Sequence, residues 1–205
     1  MNRPPDSSHS QEIVLASSSP RRRELLAQIG VSFSHRSPQI DEAPRQGESP
    51  RSYVERMARE KAECILHGLD AGCLVIGSDT SVVLGERILG KPADFGEFRG
   101  MMRQLSGGDH QVMTAVAVAA ADEIRCITNV SQVSFRPVTD AEIEAYWATG
   151  EPLDKAGGYA IQGHGAVFIS HLEGSFSGVM GLPLFETAEL LKGFGVDVWE
   201  QRTIE

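Results

Sequence analysis

The junction Ile13–Arg23, reading IVLASSSPRRR, constrains this chain more than any other stretch of it. Ile13, Val14 and Leu15 form an apolar run that predicts a short strand. Leu25, Leu26 and Ile29 then share one face of a helix that Gly30 closes. Ser19 suits the N-cap of that helix and Pro20 its first position. Arg21, Arg22 and Arg23 follow in the first turn. A helix N-terminus carries partial positive charge and repels cations, and a capping box would place Glu where Arg22 stands. An anion seated against the free N–H groups, ringed by serine hydroxyls and guanidiniums, removes the conflict. The junction therefore predicts a phosphate site, against the plainer alternative of a solvated basic turn.

The chain around this basic cluster is acidic. Its 205 residues hold 28 Asp and Glu against 19 Lys and Arg, a formal charge of −9. Such a balance excludes a nucleic-acid coat and suits a small anionic ligand. No stretch approaches the roughly 18 apolar residues of a membrane span. Residues 1–11 are polar, lack the apolar core of a signal peptide and read as a disordered leader. Residues 12–205 then form one domain with two lobes around a cleft. Cys64, Cys73 and Cys126 are odd in number and lack metal-ligand spacing, so they read as buried, reduced thiols of a cytoplasmic protein.

Apolar periodicity predicts further strands at 31–33, 74–76, 111–121 and 125–136, and a hairpin of 82–84 with 88–89 about Gly85-Glu86. Helices are predicted from Ser49-Pro50 to about Leu66, from Asp94 to Leu105, from Thr139 to Gly150, and after Pro183. Residues 37–49 and 151–165 read as loops, and 168–170 with 176–180 as paired strands. Early alternation with strands clustered in the middle implies an α/β protein built on a mixed sheet.

Lys61 falls inside the apolar stripe of Val54, Met57, Ala58 and Ile65. Two readings stand: the amine snorkels to water along its stem, or it reaches into an anionic site. Asp79 follows an apolar strand, where open α/β sheets collect ligands, although strand-end aspartates also form turns. Lys91, in Gly90-Lys91-Pro92, adds a cation after the hairpin or serves as an ordinary turn lysine. One carboxylate of Asp41-Glu42 joins Asp79 in binding a hard divalent cation, or both are solvated charge. In the glycine-rich 151–165 stretch, Gln162 offers both a donor and an acceptor for a base edge. His164 and His171 lack paired ligand spacing. There is no GxxxxGK[ST] loop and no GxSxG elbow.

Taken in order, LASSSPRRRELL (15–26), AREKA (58–62), GSDT (77–80), LGKP (89–92), LSG (105–107), HQVMTAV (110–116), EPLDKAGGYAIQG (151–163) and GLPL (181–184) resemble the Maf family of nucleoside triphosphate pyrophosphatases. The resemblance implies an elongated α/β fold with flanking helices and a central cleft, related to the inosine triphosphatase architecture and usually dimeric. It also implies cleavage between the α and β phosphates, dependent on Mg²⁺ or Mn²⁺, to a monophosphate and pyrophosphate. Carried across, Asp79 is the proton acceptor, and Ser17, Arg21, Arg22, Lys61 and Lys91 are the phosphate-side groups. Asp41 matches an acidic position near the metal, often Glu in the family, which it would share with Asp79. Arg21, Thr80 and Gln162 resemble the branch acting on dTTP and UTP, whereas the 7-methyl-GTP branch has Trp, Gln and Glu there. A homodimer without nucleic-acid or membrane partners is expected. Two other classes remain: a non-catalytic nucleotide-binding regulator of cell division, and a house-cleaning hydrolase of the inosine triphosphatase kind.

Overall fold

The structure, a computed structural model, describes residues 11–200. Of the expected leader only Gln11 falls within them. Thirteen elements make up the described fold: β1 (Ile13–Ala16), α1 (Pro20–Gln28), β2 (Ser34–Arg36), α2 (Pro50–Leu66), β3 (Leu74–Leu84), β4 (Arg87–Leu89), α3 (Phe95–Leu105), β5 (Asp109–Ala120), β6 (Glu123–Phe135), α4 (Asp140–Ala148), β7 (Ile169–Glu173), α5 (Phe176–Met180) and α6 (Leu184–Gly193), with short 3₁₀ turns between α4 and β7. Among the described residues no helix is long and apolar enough to cross a membrane.

The sheet is mixed, as the element pattern implies. Its order is β2-β1-β3-β5-β6-β7, with β4 paired to β3. β1 lies parallel to both β2 and β3, and the remaining pairs are antiparallel. A strand enclosed between parallel neighbours is covered on both faces, which accounts for the unbroken apolar run of β1. Leu15, Leu26, Ile76, Val116 and Leu191 form one core on the β1 side of the sheet. Val82, Phe98, Val112, Phe135, Tyr146 and Phe168 form a second at the other end. β3 and β5 contribute to both cores, and the polar stretch Ser78–Ser81 of β3 lies between them.

Four expectations are corrected. GSDT reads as a turn, yet β3 runs on through it, because the β5 ladder continues from Val75 opposite Ala119 to Val83 opposite Gln111. The strand expected at 31–33 forms at 34–36, leaving Val31 to pack into the first core. Residues 176–180 are helical rather than extended. The Ser175 side chain accepts from Gly178 N–H, and Gly181, at φ +122°, turns the chain out of the helix. Of the three free thiols only Cys73 is buried; Cys64 and Cys126 are half-exposed. The caps expected from sequence hold at α3, where Asp94 accepts from Glu97 N–H, and at α4, where Thr139 and Glu142 cap reciprocally.

Candidate active site

A cavity of about 600 Å³ opens between the two cores, lined from the β1–α1 junction, β3, the β4–α3 turn and the loop after α4. At the junction the chain turns as Ser17 N–H donates to Leu15 C=O at 2.9 Å. The Ser17 hydroxyl then accepts from Ser19 N–H at 3.1 Å and from the Arg22 guanidinium at 3.4 Å. Ser19 occupies the N-cap, but its side chain makes no cap bond. The hydroxyl that ties the turn is that of Ser17.

The three arginines divide. Arg22 donates to Gly181 C=O at 2.8 Å and to the Thr80 hydroxyl at 3.4 Å. Burial lowers its pKa, with Asp79 opposing the shift and Arg21 adding to it. Arg21 also lines the cavity, 3.6 Å from Asp154. Arg23 turns away and meets His35 at 3.1 Å.

Helix α2 carries Lys61 to the centre. Gly77 makes this possible, since a Cβ there would lie 2.1 Å from Ala58 C=O. With α2 pressed against β3, the Lys61 amine is 2.7 Å from Asp79 Oδ1 and 2.8 Å from Glu42 Oε1. Lys61 therefore does not snorkel to water: its side chain is only 8% exposed and bridges two carboxylates. Burial raises the pKa of Asp79, with Lys61 and Arg22 pulling the other way. Asp79 sits within β3, not past its end. The strand that does end here is β1, whose last residue, Ala16, pairs with Gly77. The crevice beyond a strand's carboxyl end thus exists, but it belongs to β1.

The carboxylate that reaches the cavity beside Asp79 is Glu42. Asp41 is exposed and spends its carboxylate within its own loop, accepting from Ala43 N–H at 2.9 Å. Of the two adjacent acids, the structure brings Glu42 and not the expected Asp41 to the cavity. The loop bearing Glu42 is fastened to α2, where Tyr53 OH donates to Glu42 C=O at 2.9 Å and Arg56 to Ala43 C=O at 3.1 Å. Arg56 also grips Glu48 with two bonds of 2.6 and 2.7 Å, which hold the Glu48 carboxyl at about 2. Neither Tyr53 nor the Arg56–Glu48 pair carries a motif in the sequence.

The opposite wall brings Lys91, Lys155 and Gln162 to the cavity. Lys155, not singled out from sequence, bonds the Asp154 carboxylate and Glu151 C=O. Gly157 N–H donates to Gly90 C=O at 2.9 Å, tying this wall to the Lys91 turn. Thr80 lies on the floor, accepting from the Thr114 hydroxyl at 3.0 Å. Among the described residues no three His, Cys, Asp or Glu side chains gather into a metal cluster. Of the three carboxylates that line the cavity, Asp154 is paired with Lys155 and Arg21, while Glu42 and Asp79 are hard oxygen donors that face a wall of cations. That arrangement can hold a polyanion, neutralise it from one side and take a proton from the other.

Residues 12–194 match the family model described as Maf-like protein. The dTTP/UTP pyrophosphatase of Hahella chejuensis is 48% identical over 191 residues, covering 92% of this chain and 95% of that one. The enzyme of the same name from Alkalilimnicola ehrlichii is 52% identical over 190 residues, covering 90% and 94%. That from Vibrio cholerae is 48% identical over 183 residues, covering 89% and 98%. The solved Staphylococcus aureus Ham1 protein aligns with 60% of this chain and 71% of its own, at 17% identity and a TM-score of 0.44. On the family match and the extent of these identities, the chain belongs to the Maf-like protein family.

Proposed function

We propose that the protein is a nucleoside triphosphate pyrophosphatase that hydrolyses dTTP and UTP to the monophosphate and pyrophosphate. The observation that carries this reading is the Lys61 ammonium held between Asp79 and Glu42, beside the Arg22–Ser17 wall. The names of relatives 48–52% identical along nearly their whole length support the substrates. Resemblance to the family supports a homodimer working in the cytoplasm.

In this reading the triphosphate lies along Ser17, Arg21, Arg22 and Lys91, and its base meets Thr80 and Gln162. Burial favours the neutral form of Asp79, and Lys61 pulls back toward the ionised form that accepts a proton. It occupies one carboxylate oxygen and leaves the other to accept the proton of the attacking water. Arg22 cannot swing away, because Gly181, Thr80 and Ser17 all hold it, so its charge is pre-aligned. Glu42 and Asp79 fit a divalent cation, being hard oxygen donors that already share a positive partner. When bound, Mg²⁺ or Mn²⁺ supplies neutralisation of the charge that grows at the α phosphate.

A panel of dTTP, UTP, CTP and GTP, read for pyrophosphate with and without EDTA, tests the proposal. The two named substrates are expected to lead CTP and GTP in kcat/KM by roughly tenfold or more, because a site built to pair one polar edge is left unpaired by another. Exhaustive chelation is expected to abolish turnover. Equal rates on CTP and UTP would overturn the base assignment, and full activity in EDTA the metal.

A further inference from the structure

Gln162 alone cannot separate uracil from cytosine, since its amide flips to suit either edge. Discrimination needs a fixed partner, and the loop that carries Gln162 is fixed in an unusual way. Its backbone wraps around one carboxylate, that of Glu151, which is only 18% exposed. Glu151 Oε2 accepts from His164 N–H at 2.9 Å, and Oε1 accepts from Gly165 N–H at 3.0 Å. Tyr146 OH donates to Oε1 at 2.7 Å and in turn accepts from Ala160 N–H at 3.1 Å. Both flanks of Gln162 are thereby tied to a single anion.

The packing leaves no room for an alternative path. A Cβ at Gly163 would lie 2.1 Å from Glu151 Oε2, and one at Gly165 would lie 2.7 Å from Tyr146 OH. The hydrogen bonds from Tyr146, Gly165 and His164 outweigh burial and keep the Glu151 carboxyl below the ordinary glutamate range. The result is a rigid turn, Ala160–Gly165, whose residues 160–162 line the cavity.

We propose that Glu151, acting through Tyr146 and the backbone of residues 160–165, is the positioning residue that sets base selectivity. This rests on the assignment of Gln162 and its loop to the base. Glu151 touches no reacting atom, so it should govern which base is accepted and how tightly, not the chemical step.

Glu151→Gln keeps the size of the side chain but turns an NH₂ donor against N–H donors. A charged hydrogen-bond acceptor is lost where several donors converge, so the loop relaxes. In that variant the preference for UTP over CTP is expected to fall to about threefold or less and KM for UTP to rise roughly tenfold. The kcat on UTP should stay within about threefold, and inhibition by pyrophosphate, which senses only the phosphate side, should not change. A merely structural role would lower Tm while leaving the base preference intact.

If Glu151→Gln fails to fold, Tyr146→Phe, which deletes one hydroxyl, is read the same way. An unchanged UTP preference in either folded variant overturns the proposal. Gln162→Ala, run in parallel, separates the two layers. Collapse of preference there, with Glu151→Gln unaffected, sinks the positioning role and leaves the base reading standing. Collapse in Glu151→Gln with preference kept in Gln162→Ala supports the proposal and assigns base reading to the loop backbone. Preference kept in both sinks the two together.

Discussion

Asp79→Asn is expected to lower kcat on dTTP by roughly 10²–10⁴-fold, the usual cost of removing a positioned general base. The exchange is nearly isosteric, and the amide oxygen can still accept from Lys61 where Oδ1 now does, at 2.7 Å. Folding and nucleotide binding should therefore survive. Steady-state kinetics paired with a thermal melt and a nucleotide-binding titration give the check. A folded, metal-replete variant with near-normal kcat removes Asp79 from the chemistry. The wild-type enzyme should also lose activity on the acid side of neutrality at higher pH than an ordinary aspartate would dictate. Burial raises the pKa of Asp79, and only the ionised form takes a proton.

Lys61→Met is expected to lower kcat/KM sharply and to destabilise the protein as well. Considered as a helix residue in an apolar stripe, the lysine looks replaceable, and an apolar substitute looks stabilising. The contacts reverse that expectation. The amine is the partner of Asp79, whose side chain is 12% exposed, so the exchange leaves a buried carboxylate beside Glu42 with no cation between them. Breaking a buried pair from one side costs up to about 3–5 kcal/mol. Protonation of Asp79 relieves part of that cost, so the loss in Tm relative to wild type should shrink as pH falls. Melts across pH, together with kinetics, measure both effects. Full activity in the variant would reduce Lys61 to a structural role.

The features legible in the sequence are those set by neighbours along the chain. The β1–α1 junction, the start of α2 at Ser49-Pro50 and the capping box of Thr139 and Glu142 all rest on local chemistry, and all stand in the structure. Lys61 announced itself because a charge inside an apolar stripe conflicts with its own helix. Features fixed by distant partners were not legible. Gly, Ser, Asp and Thr together imitate a turn, and only the ladder to β5 makes them mid-strand. Phe176–Met180 reads as one half of a strand pair, while Ser175, Gly181 and the bond from the Thr114 hydroxyl to Gly178 C=O curl it into a helix. Asp41 and Glu42 are adjacent acids, and nothing in their spacing says which one the Tyr53 hydroxyl and Arg56 will turn inward. Glu151 stood in a recognisable segment, but its role depends on a tyrosine and on backbone N–H groups as many as 14 residues away.

If Asp79 and its cationic surroundings direct water to the α phosphorus, the oxygen of that water must end in the monophosphate. A single turnover of dTTP in water enriched in ¹⁸O, with the label located by mass spectrometry, distinguishes the possible points of attack. One ¹⁸O is expected in dTMP and none in pyrophosphate. Label in pyrophosphate, or release of orthophosphate and dTDP, would place the attack at another phosphorus and remove Asp79 from this role.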